Sequence, residues 1–141
     1  MKQRALFLCT DNACLSPMAA ALVNHDLGDR LEAFSAGLTP QKLDPHAVTV
    51  MTELGIDISE QRPTPLNNYD REPFAFVIAL SDKANEQCPL YFGGVPRHAM
   101  SFTVPDPAKG DKNEILAAYR TLRDALRQQL GDFFRQQMAQ P

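Results

Sequence analysis

The stretch Ala5-Leu-Phe-Leu-Cys9-Thr-Asp-Asn-Ala-Cys-Leu-Ser16-Pro-Met-Ala-Ala-Ala-Leu22 decides the fold. Its opening apolar run reads as a short strand. From Pro17 the spacing changes: Met18 pairs with Leu22 and Ala19 with Val23 at i,i+4, and proline is a favoured first-turn residue. A helix is therefore expected from Pro17 to near Gly28. Between strand and helix, Cys9 to Ser16 form a tight loop. Backbone amides of such a loop and the positive end of the helix favour an anion, and the same field stabilises a thiolate. Cys9 is thus a candidate nucleophile, set in a candidate oxyanion site of Thr10, Asp11, Asn12, Ala13, Cys14, Leu15 and Ser16.

Working outward, apolar runs recur at roughly Arg4 to Cys9, Leu31 to Ser35, Phe74 to Leu80 and His98 to Val104, with helical patterns between them. This alternation of strand and helix predicts an α/β fold. The second helix has Asp44 as N-cap, Pro45 in its first turn, Ala47, Met51 and Leu54 on one face, and Gly55 as terminator. The last has Asp111 and Glu114 spaced as a capping box, followed by an apolar stripe of Ile115, Tyr119, Leu122, Leu126, Leu130 and Phe133. The polar, proline-bearing segment 61–73 is expected to hold one short helical turn. In an open parallel sheet ligands bind beyond the C-terminal strand ends. Cys9, Ser81 and Asp106 are expected to converge there.

With 141 residues, 44% of them hydrophobic, the chain suits one domain over residues 1–141. The net charge of −3 and the scattered basic residues argue against nucleic acid and against an anionic membrane surface. The expected partner is a small molecule or a protein. The N-terminal apolar run is too brief for a signal sequence, so a cytoplasmic location is expected. Three cysteines, an odd number, point to thiols rather than a disulfide scaffold. His25, His46 and His98 do not form ligand spacing with them, so no metal is expected.

Cys9, Asn12, Ser16, Pro17, Met18 and Ala19 resemble the Cys-x(5)-Arg-Ser loop and following helix of the low-molecular-weight tyrosine phosphatases and the thiol-dependent arsenate reductases. Phe34-Ser-Ala-Gly37, Asp44-Pro-His-Ala47, Glu53-Leu-Gly-Ile-Asp-Ile-Ser59 and Asp106-Pro-Ala108 extend the likeness over nearly the whole chain. The resemblance implies a three-layer α/β fold, a four-stranded parallel sheet flanked by helices. It also implies roles: Cys9 as nucleophile, Ser16 as thiolate stabiliser, and Asp106 of Val104-Pro-Asp-Pro107 as the acid that protonates the leaving oxygen.

Two features of the resemblance lean toward the arsenate reductase branch. Ala108 follows Asp106-Pro107 where phosphatases usually carry aromatic residues, and Ser81-Asp-Lys-Ala-Asn-Glu-Gln-Cys-Pro89 is similar to the reductases' redox segment. The implied reaction is reduction of a small oxyanion, arsenate, with no bound cofactor. An external thiol supplies the electrons: glutaredoxin with glutathione, or thioredoxin. The alternatives are a phosphomonoester hydrolase and a non-catalytic relative that binds a ligand or partner through the altered loop.

Three positions depart from the family pattern. Leu15 stands where the family has its arginine, and Asp11 where glycine is common. Ser81 replaces the first redox cysteine, so only Cys88 remains in that segment. A relay through three cysteines cannot run in its usual form, whereas an external low-molecular thiol or glutaredoxin needs only Cys9. Cys14 reads either as an oxidation partner for Cys9 or as packing, and Cys88 either as a resolving thiol or as packing. A guanidinium would offer a charged fork to two anion oxygens. Charge-assisted bonds are worth about 1.5 to 3 kcal/mol each, so the change to leucine bears directly on turnover.

Overall fold

A computed structural model describes residues 2–10, 14–39, 41–62, 64–65, 74–86, 97–106 and 108–138. The chain runs β1 (Gln3–Cys9), α1 (Leu15–Asp26), β2 (Leu31–Gly37), α2 (Pro45–Thr52), β3 (Phe76–Ala79), α3 (Asp82–Glu86), β4 (Arg97–Ala99) and α4 (Lys112–Met138). The strands form one four-stranded sheet in the order β2-β1-β3-β4, and every neighbouring pair is parallel. This is the α/β architecture expected from the alternation of elements. No described helix is long and apolar enough to cross a membrane.

The central position of β1 follows from its composition. Ala5 to Cys9 are all buried, as a strand covered on both faces requires. Its period of two divides them: Ala5, Phe7 and Cys9 join the larger core with residues of α1, α2 and α4, while Leu6 and Leu8 join a smaller cluster with Ala36, Phe74, Val77 and Ala79. Cys9 therefore ends its strand on the side that carries α1.

The capping box of α4 forms as read. The Glu114 amide donates to Asp111 Oδ1 at 2.8 Å, and the Asp111 amide donates to Glu114 Oε1 at 3.5 Å. The buried stripe is Ile115, Tyr119, Leu122, Arg123, Leu126, Leu130 and Phe134. It ends on Phe134 rather than Phe133, since 130 to 134 continues the four-residue step. Phe133 is half-buried and meets the Phe134 ring edge-on at 5.0 Å. Arg123, a charged residue outside the apolar stripe, is also buried. Its stem packs, and its Nη1 donates to the Val50 carbonyl and to Glu53 Oε1, both at 2.9 Å.

Ion pairs tie α4 to its neighbours. Arg127 forks onto Asp26 at 2.8 and 2.9 Å, at the end of α1. Arg120 does the same to Glu53, and these bonds hold the Glu53 carboxyl down to about 2, against a smaller opposing effect of desolvation and with help from Arg123. Asp44 caps α2 by accepting the His46 amide at 2.9 Å, and it accepts the Tyr119 hydroxyl at 2.6 Å. Gly55 ends the turn after α2 at φ +76, a left-handed conformation that favours glycine.

Other boundaries differ from the sequence reading. The strands expected at Phe74 to Leu80 and at His98 to Val104 are shorter, Phe76–Ala79 and Arg97–Ala99. The chain after β4 still follows β3: the Met100 amide donates to Ala79 O and the Phe102 amide to Leu80 O before it diverges. Of the segment 61–73, position 63 and positions 66–73 lie outside the described residues. Thr64 accepts the Gly37 amide at 3.0 Å and Pro65 forms a parallel bridge with Gly37, so this part extends the edge of the sheet.

Candidate active site

The helix after Cys9 starts two residues earlier than proline spacing suggested. Cys14 is its N-cap, and the first turn closes when the Met18 amide donates to Cys14 O at 3.1 Å. Pro17 falls in the third helical position, where its missing N–H costs no intrahelical bond because the first amides of a helix have no partner within it. Leu15 and Ser16 are therefore helical, and their amides belong to the electropositive first turn.

Cys9 and Ser16 meet at this junction. The Cys9 Sγ lies 3.0 Å from Ser16 Oγ, and the two residues are 1% and 0% exposed. Ser16 Oγ is also 3.4 Å from the Ala36 carbonyl oxygen of β2. A serine hydroxyl has one proton to give. Beside a neutral thiol it donates to Ala36 while accepting S–H; beside a thiolate it turns to sulfur. The bond to Ala36 is long for O–H···O, so that turn sacrifices little.

Backbone bonds gather the neighbouring strand ends around the thiol. The Leu38 amide donates to Cys9 O at 3.3 Å, and the Thr39 amide donates to Thr10 O at 2.9 Å. Thr10 Oγ1 lies 3.2 Å from Ser81 Oγ, which links the end of β1 to the residue before α3. The strand-end position of Ser81 places it on this rim, as expected, and the contact adds a hydroxyl partner at the end of β1. Nothing in the spacing signals this hydroxyl contact, although both residues follow strands and so share a rim.

Cys14 is a buried thiol whose Sγ donates to Met18 Sδ at 3.7 Å, one helical turn along. Cys9 and Cys14 are not joined in a disulfide. Leu15 is 4% exposed and belongs to the larger core. The sequence reading sets Leu15 in the loop; once the helix begins at Leu15, it falls with Met18, Ala19 and Leu22 at i, i+3, i+4 and i+7, one buried face.

Asp106 is exposed, its Oδ1 accepts the Ala108 amide at 2.9 Å, and its carbonyl accepts the Lys109 amide at 3.1 Å. Its hydrogen bonds thus close its own turn and do not reach Cys9 or Ser16. Asp11, Asn12, Ala13 and Cys88 lie outside the described residues. Among the described residues, no three His, Cys, Asp or Glu side chains group closely enough to hold a metal ion.

The sequence pattern of the low molecular weight phosphotyrosine protein phosphatases matches residues 4–140. The arsenate reductase of Shouchella clausii (strain KSM-K16) is 38% identical over 130 residues, covering 89% of this chain and 90% of its own. A solved arsenate reductase in the phosphate binding state superposes with a TM-score of 0.77 at 24% identity, covering 95% of this chain and 98% of the other. That likeness speaks to fold. A low molecular weight protein tyrosine phosphatase from T. tengcongensis superposes with a TM-score of 0.71 at 27% identity, covering 96% and 99%.

Proposed function

Because this chain belongs to the low molecular weight phosphotyrosine protein phosphatase family, we propose that it is an arsenate reductase built on that scaffold, with Cys9 as its nucleophile. The contact that carries this reading is the 3.0 Å approach of Ser16 Oγ to Cys9 Sγ, at a strand end facing the first turn of a helix. The likeness to arsenate reductases over most of the chain supplies the substrate. We read residues 1–141 as one domain and its location as cytoplasmic.

In the proposed reaction the Cys9 thiolate, stabilised by the Ser16 hydroxyl and the first-turn amides, attacks arsenic and forms an S–As bond. An arsenate oxygen leaves as water once Asp106 supplies its proton. An external thiol then attacks the Cys9 sulfur. The S–As electron pair goes to arsenic, which departs as arsenite, while Cys9 is left in a mixed disulfide. A second equivalent of thiol regenerates Cys9, so two thiols are oxidised for each arsenic reduced.

Burial of Leu15 favours a second reading. The position at which the family resemblance expects a guanidinium is occupied by a hydrocarbon in the core. The non-catalytic alternative, a scaffold that binds a ligand or partner through the loop, draws its support from that observation. One assay separates the readings. Purified protein is incubated with arsenate and glutathione plus glutaredoxin, or with thioredoxin, and in parallel with an aryl phosphate. Thiol-dependent arsenite formation that vanishes in Cys9→Ser supports the reductase, and phosphate release alone supports the hydrolase. Neither product, from folded protein, supports the non-catalytic relative.

A further inference from the structure

Thr10 and Ser81 lie 71 positions apart in the chain, yet their hydroxyl oxygens are 3.2 Å apart. Ser81 Oγ also accepts the Ala84 amide at 3.1 Å. A serine oxygen engaged in this way keeps one proton to give, and Thr10 Oγ1 is placed to receive it. When Ser81 donates, the proton of Thr10 must point away from Ser81. Thr10 is the residue directly after Cys9, and its backbone is fixed by the Thr39 amide at 2.9 Å.

We propose that Ser81 is a positioning residue whose hydroxyl, held by the Ala84 amide, donates to Thr10 and so presents the Thr10 hydroxyl as a donor to an oxyanion bound at Cys9. The inference rests on the oxyanion-site reading above and adds a residue from outside the loop. Between the two neutral hydroxyls alone, either can donate to the other. A bound anion selects one direction, because a hydrogen bond to a charged acceptor is roughly twice as strong as one between neutral groups, and each bond in a chain polarises the next. The device also has a local reason. With a leucine in the core at position 15, neutral donors around Cys9 carry more of the anion's charge than they would beside a guanidinium.

The test measures protection of Cys9 from alkylation by inorganic phosphate, read by peptide mapping at fixed pH. Thr10→Val should raise the half-protecting phosphate concentration about tenfold, and Ser81→Ala about threefold. The hydroxyl-retaining variants Thr10→Ser and Ser81→Thr should recover most of the loss, which a purely structural role would not predict. The double variant Thr10→Val/Ser81→Ala should be no weaker than Thr10→Val alone, because Ser81 acts through Thr10. Thr10→Val leaves the Ser81 cap on Ala84 in place, so it reports even if Ser81→Ala disturbs α3.

Unchanged protection in Thr10→Val, full additivity in the double variant, or no protection of the unmodified protein each overturns the proposal. Arsenite formation measured on the same samples keeps the two readings apart. If the protection pattern holds without arsenite, only the reductase reading falls. If Thr10→Val and Ser81→Ala form arsenite at the unmodified rate, only the hydroxyl chain falls.

Discussion

Cys9 and Ser16 are almost fully buried, each on a regular element and in contact with the other, whereas Asp106 sits exposed in a turn that its own carboxylate closes. The first pair is positioned by the same packing that stabilises the fold. The second position is set by an exposed turn closed by its own hydrogen bonds. Substitutions near Cys9 should therefore move stability and chemistry together, while those at Asp106 should move chemistry alone.

The sharpest contrast is expected at Asp106. In the reductase reading, Asp106→Asn removes the acid but keeps a side chain able to accept the Ala108 amide. Turnover should fall by about a hundredfold or more, with the melting temperature and the alkylation rate of Cys9 unchanged. A large loss of stability would show that the turn is structural, and would break the contrast.

Leu15→Arg tests the buried half from the opposite direction. If the guanidinium reaches the oxyanion site, turnover should rise at least roughly tenfold, equivalent to about 1.4 kcal/mol. The same change removes a core leucine, so stability should fall by about 1.5 to 3 kcal/mol. Denaturant unfolding and arsenite formation measured on one preparation read both effects. A stable but equally slow variant would mean that the site differs from the family by more than this contact.

The smallest effect is expected far from the rim, where Glu53 is held by Arg120 and Arg123. Its carboxyl is lowered to about 2 from an ordinary 4.5. A depressed carboxyl contributes stability that is complete above its unfolded value and is lost as pH falls through its folded one. Unfolding midpoints should therefore decline between about pH 4.5 and about pH 2, and Glu53→Gln should flatten part of that decline. The site should be indifferent to the change, since these groups join α2 to α4.

Much of this was legible in the chain because its signals are local. The run before Cys9, the Asp44-Pro45 start of α2 and the Asp111/Glu114 box all act within one turn or strand, and each forms where the residues indicate. Contacts between distant segments were not legible. No spacing foretells that Ser81 meets Thr10, or that Arg123 enters the core because Val50 and Glu53 wait for it. α1 starts two residues before Pro17, the position that proline's first-turn preference indicates. Proline's lack of an N–H is equally harmless at the third helical position, and the apolar face beginning at Leu15 decides the matter.

The account depends above all on Cys9 being a reactive thiol held by Ser16 and the start of α1. Alkylation rates for Cys9 and Cys14, measured against pH by peptide mapping, test this directly. The Cys9 midpoint should fall within about 3.5 to 7.5, the range of activated cysteines, and Ser16→Ala should raise it. Cys14, turned to Met18, should react more slowly throughout. A Cys9 midpoint near about 8.5 that Ser16→Ala leaves unchanged, or a Cys14 that reacts first, would contradict the account.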